Sequence, residues 1–582
     1  MAWVILLRLP PSHTLYLEYY MAVNYAAHFN PNKTPQSQPI PGKEMVLNNA
    51  KGYTFSANEM DQVLRFLILG CEGGTYYAGE NKLSIGNAVN LVKCIKKDTA
   101  AVVKLIVDVS VSGRSAKQDA ILFALALTCA EAPEKQKPLA YAAISQVCRT
   151  GTHMFQFTKF IKELRGWSRG LRNGVAKFYT QKPLEKLELQ LVKYRQREGF
   201  THKDVMRLSH PATTEPARNS LFKYAVGKPF TENESKEFFS ANSLLNAYEI
   251  GKSLDASSYK DVKTMVDMIV NSGLPREGVP TPFLSKPEIW EALLEKMPVG
   301  AMVRNLGKIS ALEMTKSNLS SATVKIVGAL RNPEAVKYSR VHPLQILTAI
   351  KIYSQGRGDR GSLTWSTNAR IVDALQDAFY LSFENVEATG LNTMLALDVS
   401  GSMGMHKIAG SPLSAREASA AMAMITARTE ENHDFIGFTS SGEKYHSVSG
   451  SRTSRMWGGC GVSQLAISPT QRLNDVINYV AAMNFGGTDC ALPMIYAEKH
   501  KIPVDTFVIY TDNETWAGDV HPKQALDSYR QKMGRDAKLA VVGMTASEFT
   551  IADPNDQGML DVVGFDTATP NLISQFALGF TA

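Results

Sequence analysis

The chain has 582 residues, 44% of them hydrophobic and 20% charged, with a formal net charge of +8. That length exceeds what one hydrophobic core supports, so two or more domains are expected, and the ordinary composition excludes a collagen-like or largely disordered chain. The charge is unevenly placed: from Leu391 onward 14 Lys and Arg stand against 20 Asp and Glu, while the preceding residues carry 49 against 35. An acidic module therefore follows a basic one, and the basic one calls for an anionic partner.

The apolar run Met1–Leu7 is broken by Arg8, Pro10 and Pro11. It is too short for a secretory leader or a membrane span, so no membrane partner is expected. Met21 reads as the true start, because MAVNYAAHFNPN runs on into the polar, Pro-rich stretch 30–43. Residues 1–56 are expected to form an extended tail. Six cysteines, at 71, 94, 129, 148, 460 and 490, show no Cys-x-x-Cys spacing. They read as reduced, buried thiols and point to the cytoplasm.

From Ala57 to about residue 385 the pattern is helical. Val63, Leu64, Leu67 and Ile68 recur at helical spacing, and helices are predicted over Leu83–Lys96, Ala101–Val111, Ala116–Ala130 and Pro138–Arg149. Helix after helix without a strand suggests a stacked α-solenoid, although no fixed repeat period is visible.

Between Arg149 and His210 lie 14 Lys and Arg against five acids. Lys162, Arg165, Arg169 and Arg172 recur at steps of three, four and three, which on one helix places them on one face. Lys186, Lys193 and Arg197 make a second row, and Trp167, Phe178, Tyr179 and Tyr194 are interleaved. A phosphate backbone is the natural complement of such a surface, the bland alternative being a solvated stripe of charge. The stretch GRGDRG at 356–361 reads as a basic linker, since no strand precedes it as a nucleotide-binding turn would require.

From residue 390 to 582 the elements alternate. Strands are predicted at 392–398, 433–438, 504–511, 537–543 and 559–564, with helices near 412–430, 471–482, 490–499 and 522–533 and at the end. This alternation gives a doubly wound parallel sheet, in which ligands bind at the carboxyl ends of strands. At such an end, TMLALDVSGSM passes from an apolar strand into Asp398-Val399-Ser400-Gly401-Ser402. One carboxylate and two hydroxyls around one point are hard oxygen donors, suited to Mg²⁺, Mn²⁺ or Ca²⁺. Thr488 on the Gly-rich stretch Phe485–Asp489 and Asp512 after the strand Val508–Thr511 complete the set.

The order Asp-x-Ser-x-Ser, Thr, Asp resembles the metal-ion-dependent adhesion site of von Willebrand factor A domains. The resemblance implies Ser400, Ser402 and Thr488 as direct ligands of a divalent cation, Mg²⁺ first, with Asp398 and Asp512 acting through water. It also implies an open coordination position that an acidic ligand group can fill.

Further segments resemble the Ro 60-kDa autoantigen, or TROVE-domain, family. They are Cys71–Tyr77, Lys193–Arg197, His202–His210, Val303–Lys308, Arg340–Pro343, Gly486–Cys490, Thr511–Thr515 and Phe549–Pro554, in order along nearly the whole chain. The resemblance implies a closed ring of HEAT-like helical repeats over 57–385 joined to the A-like module of 390–582. It implies a monomer that binds a Y RNA or Y-like RNA on its basic outer surface. Single-stranded 3′ ends of misfolded non-coding RNA enter a central hole, in the service of RNA quality control. An exoribonuclease is a further implied partner. The candidate RNA contacts are Lys162, Arg165, Arg169, Arg172, Lys193, Arg197, His202, Lys203, Arg207 and His210; outside the motif, a histidine before Pro211 would read as a cap or a core residue. The stretch 445–464 is longer than the family's usual link, and a hairpin or a flap is expected there.

The sequence offers no Ser-His-Asp order, and its 11 histidines form no zinc spacing. A non-catalytic RNA-binding protein is therefore the first reading. A scaffold that captures a partner carboxylate at the metal, and a metal-dependent nuclease, remain as alternatives.

Overall fold

The computed structural model of the protein describes residues 33–71, 78–383, 386–405, 407–440, 461–483 and 486–580. The expected start at Met21, residues 72–77 of the Cys71 motif, Phe485 and residues 445–460 of the long link lie outside the described residues.

The predicted helices are present as Glu80–Lys97, Thr99–Ser112, Asp119–Glu131 and Lys137–Val147, and the helical pattern continues to Ala369–Leu381. Asp119–Glu131 is apolar on nearly every side and is buried along its length. It packs against Lys137–Val147 and also against Gly151–Leu164, the helix after that. Lys137–Val147 in turn lies on Arg169–Thr180. Contact with both the next helix and the one beyond is the packing of a two-layered solenoid, in which each unit buries its neighbour's apolar face.

The array closes on itself. Arg340 donates to the Val111 carbonyl at 3.2 Å, Gln345 to that of Ala116 at 2.9 Å, and the His342 ring to that of Arg114 at 3.1 Å. The last helices thus meet the third and fourth, some 229 residues earlier in the chain.

The carboxyl-terminal module is a six-stranded sheet. Its strands are β5 (Thr393–Asp398), β6 (His433–Phe438), β7 (Val462–Gln464), β8 (Thr506–Thr511), β9 (Lys538–Gly543) and β11 (Met559–Val563), in the order β11-β9-β8-β5-β6-β7. Five run parallel. β7, at the end of the long link, pairs antiparallel with β6, so the sheet is mixed where an all-parallel one was expected. Every residue of β5 and β8 is buried, as central strands covered on both faces require.

The amino-terminal stretch departs from expectation. Residues 33–56 are seated on the A-like module. β1 (Val46–Leu47) pairs with β2 (Tyr53–Ser56), and β2 pairs with β10 (Phe549–Thr550) of the far end of the chain. Within the helical array a two-residue hairpin, β3 (Gln196–Arg197) and β4 (Phe200–Thr201), also interrupts the all-helical expectation.

Ring and module meet along a polar seam. Arg65, fully buried on the helix Glu59–Leu69, donates to the carbonyls of Ser547 and Phe549 at 2.9 and 2.8 Å and pairs with Asp561 on β11. Arg114 grips Asp566 with two nitrogens. Lys351 pairs with Glu417 at 2.6 Å, and the Arg428 guanidinium lies 3.6 Å from the centre of the Tyr380 ring. Removing one partner of a buried pair strands the other, at a cost of about 3–5 kcal/mol. Arg65→Ala is therefore expected to lower stability by about that amount in urea denaturation and to split one unfolding transition into two, ring and module.

Candidate metal centre and nucleic-acid interface

β5 and β8 are adjacent, yet from β5 the chain runs outward through β6 on one side and from β8 through β9 and β11 on the other. That is the switch point at which a parallel sheet opens a crevice at its strand ends. Asp398 ends β5, and Asp512 directly follows β8. The Asp398 carboxylate is wholly buried. Its Oδ1 accepts the Ser400 backbone N–H at 2.9 Å, and its Oδ2 accepts the Thr511 hydroxyl at 2.7 Å. The Ser400 and Ser402 hydroxyls stand 3.1 Å apart.

The turn is clamped from behind by Arg416, near the start of the helix Ala415–Thr429. Its guanidinium donates to the carbonyls of Val399 at 2.6 Å, Ser400 at 2.8 Å and Met483 at 2.9 Å. Ser414 and Glu417 form a capping box that fixes this helix end, so the arginine arrives at a set angle.

Two further oxygens, Thr488 Oγ1 and Asp512 Oδ2, are buried without a hydrogen-bond partner. Burial pushes both the Asp398 and Asp512 carboxyls up from their ordinary range, and the charge of Asp512 pushes Asp398 further. Hydroxyls collected beside crowded carboxylates and orphaned oxygens fit a hard divalent cation, which would satisfy the donors and relieve the repulsion. Among the described residues no cluster of three or more His, Cys, Asp or Glu side chains offers another metal site.

The amino-terminal segment braces this centre. Gln36, buried, donates to Asp489 at 2.8 Å and accepts the Thr515 hydroxyl at 2.6 Å. Asn49 and the Ala50 N–H both bond Glu514 at 2.9 Å, and Asn48 donates to the Thr515 carbonyl at 2.7 Å. Thr488 and Asp512 therefore sit on loops tied to residues some 450 positions away. Sequence reasoning missed Thr511, Arg416 and this brace. A second hydroxyl next to Asp512 was the one visible signal.

The basic surface is real but differently built. Lys162 lies near the end of the helix Gly151–Leu164, which stops there. Arg165 leaves the helical region, Gly166 turns left-handed at φ +80°, and Ser168 caps a new helix by accepting the Leu171 N–H. Arg169 and Arg172 begin that helix, so the four cations do not form the single-helix row expected of them. Arg165 donates to the Tyr141 hydroxyl at 3.1 Å and the Cys129 carbonyl at 3.2 Å. Arg169 and Arg172 are exposed beside it in sequence, and none of the four has a carboxylate within ion-pair distance among the described residues.

A second group gathers at the hairpin. Lys162 stands 5.7 Å from the Phe200 ring, Arg197 is exposed on β3, and Lys193, half-buried, lies 5.6 Å from the Tyr194 ring. The helix His202–Ser209 follows, with Lys203 half-buried, Arg207 exposed and His210 exposed as its left-handed cap at φ 45°. His202 does not join them. It is 4% exposed, its Nε2 donates to the Gln190 carbonyl at 3.2 Å, and its Nδ1 accepts from the Tyr179 hydroxyl at 3.1 Å. The Thr201–Asp204 capping box starts the helix at His202 and turns the ring into the core, so its candidacy as an RNA contact is corrected.

The chain matches the TROVE domain family over residues 46–244 and 266–390, and the Ro60 vWA domain over residues 392–577. It is 38% identical to the RNA-binding protein RO60 of Deinococcus radiodurans, over 96% of this chain and 99% of that protein. It is 34% identical to the RNA-binding protein RO60 of Caenorhabditis elegans, over 92% and 90%. The crystal structure of the Deinococcus radiodurans RO (RSR) protein is similar to it at a TM-score of 0.65 and 37% identity, over 90% of this chain and all of that one.

Burial holds the His202 ring neutral in the fold and depresses its pKa from 6.5 to about 4. A depressed base contributes stability above its unfolded value and loses it as pH falls toward the folded one, here worth on the order of 3 kcal/mol. Urea denaturation at stepped pH is expected to show stability falling between about 6.5 and about 4. His202→Gln should flatten that slope by up to about one proton while leaving RNA affinity within about twofold.

Proposed function

Because the chain belongs to the Ro60 family, carrying both its TROVE domain and its vWA domain, we propose that it is a non-catalytic RNA-binding protein of small ribonucleoproteins. Its ligands are a Y RNA or Y-like RNA held on the outer basic surface, and single-stranded 3′ ends of misfolded or structured non-coding RNA taken into the ring. The work is RNA quality control, with an exoribonuclease as the partner that completes it. The observation that carries the reading is the set of cations at Lys162, Arg169, Arg172 and Arg207, exposed and without ion-pair partners among the described residues. Cations left unpaired on one stretch of a folded surface, beside Phe200, Tyr141 and Tyr194, suit phosphates and stacked bases. The curated relatives are named RNA-binding proteins, which supports the same reading.

In the A-like module the reading is a divalent cation, Mg²⁺ before Mn²⁺ or Ca²⁺, held by Ser400, Ser402 and Thr488, with Asp398 and Asp512 behind them through water. When bound, the ion supplies a Lewis-acidic coordination position for an acidic group. The chain's own part is to hold two hydroxyls 3.1 Å apart and to keep two carboxylates dry. The exposed side chains of Met405, which ends the short helix Gly401–Met405, and of Trp516 favour a second role, capture of a partner protein's carboxylate between apolar contacts.

Reversing Arg165, Arg169 and Arg172 to Glu is expected to abolish binding of structured small RNA in filter-binding titrations. Any residual affinity should show a log–log salt slope shallower by about two to three. Unchanged affinity in a folded triple variant would refute the RNA reading. Mg²⁺ is expected to raise the melting temperature of the wild-type protein by about 2–4 °C and to leave Ser400→Ala unmoved in the same calorimetric scan.

A further inference from the structure

A cavity of about 560 Å³ opens where the helices Val299–Ala311 and Pro343–Ser354 meet the turn 409–412 of the A-like module. None of the metal-site residues lines it, and neither does Lys162 or Arg172. Its size is that of a small-molecule pocket, about 300–1,000 Å³. The floor is aliphatic, with Val303, Leu306, Leu344 and Ile352, and one wall is aromatic. That wall is Trp365. Its indole N–H donates to the Tyr353 carbonyl at 3.1 Å, and its ring is near-parallel to that of Tyr353 at 17°. The indole also lies so close to Gly307 that a Cβ there would stand 2.7 Å from the ring. The wall is therefore fixed in place before any ligand arrives.

The charge on this cavity is of one sign. Lys117, Arg304 and Lys308 line it, and no carboxylate does. Arg304 and Lys308, one helical turn apart, have no ion-pair partner among the described residues. Gln345, Thr348 and Ser411 supply the few polar groups that could orient a guest.

A flat, largely apolar body with an anionic end is the complement of these walls. We propose that this cavity is a nucleotide pocket: the base enters between Trp365 and the aliphatic floor, and its phosphate is held by Arg304 and Lys308. The nucleotide comes either free or as the end of an RNA strand, and the chemistry of the site is the same for both. A free-nucleotide site is independent of the RNA reading above, whereas a strand-end site rests on the part of it that takes single-stranded ends into the ring.

Equilibrium dialysis of the full-length protein with radiolabelled AMP tests it. Two variants are compared: Ala349→Phe, which fills the cavity, and the double variant Arg304→Glu/Lys308→Glu, which changes only rim charge. A 12-nucleotide oligoadenylate, linear and circularised, is run beside AMP. Loss of AMP binding in Ala349→Phe, with about tenfold weakening in the double variant, establishes a free-nucleotide site. The same losses for the linear oligomer alone, with no binding of AMP or of the circle, establish a strand-end site. Equal binding of either probe to both variants and wild type overturns the proposal. So does failure of both probes to bind, or tighter binding of dodecanoate than of AMP. The triple variant at Arg165, Arg169 and Arg172 serves as control, because the pocket predicts that it binds AMP normally whatever becomes of its affinity for structured RNA.

Discussion

A guanidinium with no exposure to solvent joins the two halves of this protein. Arg65 is carried inward by an apolar helix and meets two backbone carbonyls and the Asp561 carboxylate of the other module. A charge so placed is tolerable only while every one of those partners stays in position. The seam therefore acts as a condition on the whole fold: the helical array is complete only when the sheet is docked, and β11 is held only when the first helix is there to meet it. Arg114, which bonds Asp566 and lends its carbonyl to His342, makes the closure of the array part of the same condition.

The charge division seen along the chain takes on meaning from this geometry. The acidic module seats against the basic array through Arg65, Arg114 and Lys351, each answered by an acid of the module. Those pairs consume only a small part of the array's positive excess. Part of the remainder stands on the stretch from Lys162 to Arg207 and at the rim of the junction cavity with Arg304 and Lys308. In both, cations lie beside aromatic rings, the combination that serves phosphate and base together.

What was legible in the sequence was whatever local pattern decides. The run from Met394 into Asp398 announced a buried strand ending in oxygen donors, because a central strand is apolar on both faces and its end is where polarity returns. The helices from Glu80 to Val147 announced themselves by period. The row from Lys162 to Arg172 misled because spacing alone was weighed. Gly166 and Ser168, a turn former and a cap, stood between its members and broke the helix. His202 misled because a motif says which residues recur together, not which way a side chain faces. Arg416, Thr511 and the seating of Gln36 and Asn48 were beyond reach, since each is set by a partner far off in sequence and nothing in the polar stretch 33–56 marks it as buried.

That last segment has a consequence in time. Gln36 and Arg65 leave the ribosome about 450 to 500 residues before Asp489 and Asp561 do. At synthesis rates of about 5–20 residues per second, the wait is about 25 to 100 seconds. During it the first helix carries an unpaired arginine and β2 has no β10. This early-made segment is thus among the last to reach its native contacts, and the metal centre it braces is finished only when residues 36–50 meet residues 489–515.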